Sequence, residues 1–222
     1  MSVANGLITV WLDVEPEREE EFNDWYNREH LAQVVGLPGF VGGRRYRCDA
    51  APLKYLAWYD TVDENVEPGA DFQRLIAEPT PWSRRMRKLY GDRRERFNFR
   101  LMRDVGRVPA QDTPWLYLVH TDIPDHIVRE YNEWYDQEHL PRLVTVPGVL
   151  RARRYTAVSG APRYLTAYEL TDKDAFESPE GLKARKTPWT EKMRSLFQNT
   201  RRSMCQLILP GIRRPNQSGA GT

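Results

Sequence analysis

Cysteine is scarce in this chain of 222 residues, with only Cys48 and Cys205 present. They fall at unmatched places in the internal repeat described below, so a disulfide framework is not expected and a reducing compartment fits better. Long apolar runs are missing too. None approaches the ~18 residues of a membrane span. The opening Met1-Ser2-Val3-Ala4-Asn5-Gly6 lacks the basic start and apolar stretch of a secretory signal. The expectation is a cytoplasmic protein with no membrane partner. The net charge, +2 at pH 7, is too small to imply a polyanionic partner, so nucleic acid is not expected. The four histidines are scattered without metal-ligand spacing, and no metal is expected. G-x-G-x-x-G, Walker A, G-x-S-x-G and H-E-x-x-H patterns are all lacking, which argues against nicotinamide and nucleoside triphosphate enzymes.

What is there is a repeat. Asp24-Trp25-Tyr26-Asn27-Arg28-Glu29-His30-Leu31 returns 109 positions later as Glu133-Trp134-Tyr135-Asp136-Gln137-Glu138-His139-Leu140. Pro38-Gly39, Arg44-Arg45-Tyr46 and Tyr55-Leu56 recur at the same offset as Pro147-Gly148, Arg153-Arg154-Tyr155 and Tyr164-Leu165. Thr80-Pro81-Trp82 recurs at an offset of 107 as Thr187-Pro188-Trp189. Two copies of this length favour a closed pseudo-dimer over an open array.

Within repeat 1, Gly6 to Asp13 reads as a strand and Glu15 to about Leu31 as a helix, with Pro16 and a run of glutamates in its first turn. Val41–Arg47 and Tyr55–Tyr59 read as strands, Phe72–Ala77 and Trp82 to about Arg94 as helices, and Phe97–Met102 as a last strand. The order β-α-β-β-α-β is the ferredoxin-like unit, and repeat 2 runs likewise. The expected fold class is therefore α+β: tandem ferredoxin-like repeats over residues 6–103 and 114–209, closed as an intramolecular barrel. Residues 210–222 are expected to be a disordered tail.

Several residues are candidates for chemistry. Glu29 and Glu138 fall on the apolar face of their helices. Each needs a partner there, either a structural ion pair with Arg44, Arg45, Arg153 or Arg154, or a role as acid or base. His30 and His139 suit proton transfer near neutral pH, or else cap the helix end against its dipole. Asp136, three residues before His139, is placed to tune it, whereas the matching Asn27 carries no charge. His120 stands where repeat 1 has Trp11. The basic run from Arg84 to Arg96 keeps apolar residues at helical spacing and reads as a solvated outer face.

The Trp-Tyr-x-x-Glu-His-Leu segments, followed by Pro-Gly and Arg-Arg-Tyr, resemble the EthD-like branch of the dimeric α+β barrel superfamily. Repeat 2 resembles it more closely, because Pro141 completes a His-Leu-Pro ending for which repeat 1 has Ala32. The resemblance implies kinship of fold with muconolactone isomerases, cofactor-free monooxygenases, polyketide cyclases and haem-binding degradases. It suggests a cofactor-independent enzyme acting by acid/base chemistry on a small aromatic, lactone or polyketide-like metabolite. A non-enzymatic metabolite-binding protein, a haem protein with His139 or His30 as axial ligand, and a cofactor-free monooxygenase stand as alternatives. The favoured half is the second: His139 as acid/base, tuned by Asp136 or Glu138, with Tyr155 or His120 on the substrate oxygen and His30 as the counterpart in repeat 1. Trp11, Trp25, Trp134, Tyr46, Tyr135 and Tyr168 are the expected substrate-binding aromatics. A monomer or a homodimer is allowed.

Overall fold

The computed structural model describes residues 4–213. Eight strands alternate with helices. β1 is Gly6–Leu12, β2 Phe40–Arg47, β3 Tyr55–Thr61, β4 Arg94–Gly106, β5 Trp115–Asp122, β6 Val149–Ala157, β7 Tyr164–Leu170 and β8 Gln198–Arg213. The hydrogen-bonded order β1-β3-β2-β8-β5-β7-β6-β4 returns to β1 as a closed barrel. Residues 210–213, expected in a tail, therefore belong to a strand; the rest of that segment lies outside the described residues.

The chain divides into two compact units. Among the described residues, unit 1 holds 4–47, 52–100 and 208–213, and unit 2 holds 48–51 and 101–207. In unit 1, β1 pairs antiparallel with both β3 and β4, and β2 pairs with β3. Strand alternation then sorts the side chains. Ile8 and Leu12 on β1, with Ala57 and Tyr59 on β3, join the apolar cluster that also holds the helix residues Phe22, Trp25 and Tyr26. Unit 2 repeats the pattern, with Val119, Ala152 and Tyr168 packed among Tyr131, Trp134 and Tyr135. The recurring Pro-Gly has a backbone cause. Gly39 and Gly148 take φ of 85° and 89°, a left-handed conformation that other residues resist.

The first helix of each repeat is not one regular α-helix. In unit 1 a 3-10 turn at Pro16–Arg18 leads into α1 (Glu19–Trp25), a π-helical turn (Tyr26–His30) and α2 (Leu31–Val35). The Leu31 N–H donates to the Tyr26 carbonyl, five residues back. Unit 2 does the same with α5 (Val128–Trp134), a π turn over Tyr135–His139 and α6 (Leu140–Leu143). Both histidines thus lie inside a continuing helix, and neither caps its end. Between these lie α3 (Ala70–Ala77) and α4 (Pro81–Tyr90) in unit 1; α7 (Pro179–Arg185) and α8 (Pro188–Ser195) follow in unit 2.

The repeated Thr-Pro-Trp starts α4 and α8. The Thr80 hydroxyl accepts from the Ser83 N–H and that of Thr187 from the Thr190 N–H, with proline at the first turn, where no N–H is needed.

The cysteine reading is overturned. Cys48 and Cys205, both in unit 2, form a disulfide that closes a span of 157 residues. Their unmatched places in the repeat concealed the pairing, and the expectation of a reducing compartment loses its chemical support. No helix among the described residues is long and apolar enough to cross a membrane.

Candidate functional site

A cleft of about 510 Å³, part of it open to solvent, lies in unit 1. Its floor is the sheet side of Ile8, Val10 and Leu12; Trp25, Tyr26 and His30 come from the first helix, Tyr59 from β3, and Arg87, Arg94 and Arg96 from α4 and β4. An apolar hollow with a few converging polar groups is the usual form of a small-molecule site.

The π turn sets the position of His30. One extra residue in the turn brings position i+5 over position i, so the imidazole lies on the Trp25 indole, ring centroids 4.3 Å apart and 17° from parallel. The Tyr26 ring meets its edge at 5.0 Å. His30 Nδ1 is buried and has no hydrogen-bond partner, although the residue as a whole keeps some exposure. Burial, then the charges of Arg87, Arg45 and Arg96, push its pKa down to about 3, so the ring is neutral at pH 7. Beside it the Tyr59 hydroxyl donates to the Tyr26 hydroxyl at 3.3 Å. Burial pushes Tyr26 up to about 12 and Tyr59 well above the ordinary phenol value, so both stay protonated.

The carboxylate on the apolar face has a structural partner, and that partner is not an arginine. Glu29 accepts from Thr80 Oγ1 at 2.6 Å and Ser83 Oγ at 3.1 Å, while Trp25 Nε1 donates to the same Ser83 oxygen at 3.1 Å. Glu138 does likewise, accepting from Thr187 Oγ1 at 2.6 Å and Thr190 Oγ1 at 3.5 Å. Sequence reasoning saw the Thr-Pro-Trp repeat and gave it no role; its shared spacing from Glu-His was the available signal. The arginines offered as partners go elsewhere. Arg44 pairs with Asp60, and Arg153 with Glu169 at 2.8 Å. Arg45 lies over the Tyr26 ring at 4.3 Å, and Arg154 over Tyr135 at 3.9 Å.

In unit 2, His139 stacks on Trp134 at 4.2 Å and is 5% exposed, more closed than His30. Burial, then Arg194 and Arg154, holds its pKa well below the ordinary value. Asp136 does not tune it: its carboxylate faces Arg103 at 3.8 Å and Arg154 at 4.0 Å. Tyr135 is on the helix side, accepting from Thr166 Oγ1 at 3.1 Å, and Tyr168 packs in the same cluster. His120 and Tyr155 are buried on the opposite face of their strands, since their neighbours Val119 and Arg154 point to the helix side. The same alternation separates Trp11 and Tyr46 from the unit 1 cleft, while Trp25 lines it. The geometry therefore brings His139 together with Trp134 and Tyr135, but not with His120 or Tyr155. Where unit 1 has Ile8, unit 2 has Tyr117, whose ring packs against Phe176 at 5.5 Å and Tyr168 at 6.1 Å. His126 is exposed. The basic run is only partly a solvated face: Arg84, Arg85 and Lys88 are exposed, but Arg87, Arg94 and Arg96 line the cleft.

No protein-family model and no curated protein matches the chain. Solved structures do. An anthrone oxidase-like protein is similar with a TM-score of 0.68 at 11% identity, over 98% of this chain and 96% of that one. A candidate monooxygenase from Fusobacterium nucleatum gives 0.62 at 11% identity, over 96% and 99%. A candidate chlorite dismutase gives 0.57 at 13% identity, over 93% and 96%. The fold is the dimeric α+β barrel. At such identities the likeness is one of fold alone.

Proposed function

We propose that this chain is an enzyme that works in the unit 1 cleft by proton transfer on a small, enolisable aromatic or polyketide-like substrate. The observation that carries this reading is a neutral, partly exposed His30 beside a protonated tyrosine pair and several guanidinium groups. The substrate ring lies among Trp25, Tyr26 and Tyr59. An acidic C–H or O–H of the substrate gives its proton to His30. The charge left on the substrate oxygen is held by the Tyr59 and Tyr26 hydroxyls and by the arginines. Burial is the larger cause of the low His30 pKa and the arginines the smaller; the new anion offsets the arginines' share and stabilises the imidazolium beside it. Isomerisation, dehydration and cyclisation all begin with such a step.

A second reading draws on the similar structures named as a monooxygenase and an anthrone oxidase-like protein. The same substrate anion is electron-rich, and with dioxygen as co-reactant the cleft would serve an oxygenation. Haem, with His30 or His139 as its ligand, stands as an alternative, and no step is assigned to it.

The test is turnover of a panel of phenols and β-dicarbonyl compounds, followed by product formation and by an oxygen electrode. His30→Gln is expected to lower kcat/KM by ~100-fold or more, and Tyr59→Phe by roughly tenfold, with the fold intact. His139→Gln is expected to change it little. Loss of turnover in His139→Gln with none in His30→Gln would move the site to unit 2. Oxygen uptake decides between the two readings.

A further inference from the structure

We propose that the unit 1 cleft takes its substrate as a carboxylate, an aromatic acid whose ring lies among Trp25, Tyr26 and Tyr59 and whose anionic group pairs with Arg94 at the rim. This deepens the reading of the cleft as the working site and rests on it.

The first support is an imbalance of charge. Arg87, Arg94 and Arg96 line the cleft. Arg96 has a carboxylate, Glu67, at 3.2 Å. Arg87 is held by the carbonyls of Ile76 and Leu75, at 2.6 and 3.4 Å, which fix its position without neutralising it. Arg94 is exposed and sits over the edge of the cleft, its guanidinium carbon 6.0 Å from the Tyr90 ring centre. Among the described residues neither Arg87 nor Arg94 meets a carboxylate. The register places Arg94 beside Leu12 and Arg96 beside Val10, so both rise from the sheet strip that floors the cleft. A cation left unpaired at the mouth of an apolar hollow is an anchor for an anion.

The second support is a difference between the repeats. Arg45 is 1% exposed and lies under Tyr26. Its guanidinium donates to Asn27 Oδ1 at 2.6 Å and Asn23 Oδ1 at 2.8 Å, both neutral oxygens. Among the described residues it meets no carboxylate. The matching Arg154 donates to Asn132 and also faces Asp136 at 4.0 Å. Asn27 stands where repeat 2 has Asp136, so the buried cation is countered in unit 2 and left uncountered in unit 1. Burying an unpaired cation is costly. An anionic occupant of the cleft, which Tyr26 also lines, offsets that cost in a way a neutral one cannot.

The experiment compares 1-naphthoate with the neutral, similarly shaped 1-naphthamide, by titration calorimetry on the full chain. The wild type is expected to bind the acid about tenfold or more tightly than the amide, and Arg94→Gln to bring the two affinities together. Asn27→Asp, which gives Arg45 its counter-charge, is expected to weaken the acid by several-fold and leave the amide unchanged. Asp136→Asn is expected to alter neither. Equal binding of acid and amide, binding of neither, or a preference that survives Arg94→Gln overturns the proposal. The outcome is separable from the function proposed above. A turnover defect in His30→Gln without any acid preference sinks only the carboxylate. An acid preference with His30→Gln fully active sinks only the proton transfer.

Discussion

His30 stacks on Trp25, five residues before it in the chain. In an α-helix that spacing places two side chains on different faces; the π turn makes them neighbours. The indole is in turn anchored through Ser83 to Glu29, the residue beside the histidine. The indole, the hydroxyl and the carboxylate form one hydrogen-bonded block on which the imidazole stacks, built the same way in unit 2 around Trp134, Thr190, Glu138 and His139. A block that recurs around the closed His139 as well as the open His30 is first of all structural. Function enters through what surrounds it.

Removing Glu29 tests the structural role. In Glu29→Ala, the Thr80 and Ser83 hydroxyls lose their shared acceptor, and Trp25 loses the support they give. Urea unfolding is expected to show a loss of about 2–3 kcal/mol. Glu29→Gln keeps an acceptor oxygen and should lose only about 1 kcal/mol. If Ala and Gln are equally mild, the carboxylate has another purpose.

The disulfide provides a second test. In the chain-entropy account, closing a span of 157 residues stabilises by up to about 5 kcal/mol, and measured effects usually fall to about 2–4. Cys48→Ser with Cys205→Ser, or full reduction, should therefore lower the unfolding free energy by roughly that amount. A double variant as stable as the wild type would mean that the bond is not formed in solution.

The architecture was legible in the sequence because the period-two strands and Pro-Gly, Arg-Arg-Tyr and Thr-Pro-Trp landmarks recur in the same order. The finer site was not. Helical spacing placed Glu29 on the apolar face, but one inserted residue in a π turn leaves no trace in a 3.6-residue pattern, so the Trp25–His30 stack stayed hidden. The Asn27 and Asp136 difference was visible, yet it was referred to the histidine, while the chain folds it against Arg45 and Arg154. Preference for repeat 2 rested on Pro141, on Asp136 in place of Asn27 and on His120 in place of Trp11, each read one position at a time. Ile8 lines the unit 1 cleft, while its counterpart Tyr117, far along the chain, packs against Tyr168 and Phe176.

That last difference is itself testable. Ile8→Tyr places in unit 1 the residue that repeat 2 uses, and it should fill the cleft. Binding of 1-naphthoate is expected to fall at least tenfold, with an overpacking cost of about 1–3 kcal/mol. Should the affinity persist unchanged, the ligand lies elsewhere.

Acid stability follows from the histidines. Burial, aided by Arg87, holds His30 at about 3, and burial with Arg201 holds His120 at about 4; His139 is lowered as well. In the unfolded chain each returns to about 6.5. Between those values the unfolded state binds more protons than the folded one, so falling pH favours unfolding. The stabilisation from keeping these rings neutral is complete above about pH 6.5 and drains away below it, by up to about 1.4 kcal/mol per pH unit for each ring. Carboxylates protonate mainly below this range, so the window from pH 6.5 to 4.5 isolates the imidazoles. Urea midpoints should decline steadily across it, and His30→Gln should reduce the slope by one ring's share. A stability flat from pH 7 to 5 would show that these imidazoles are free to take up protons in the native fold, and that the cationic, dry surroundings drawn here for His30 are wrong.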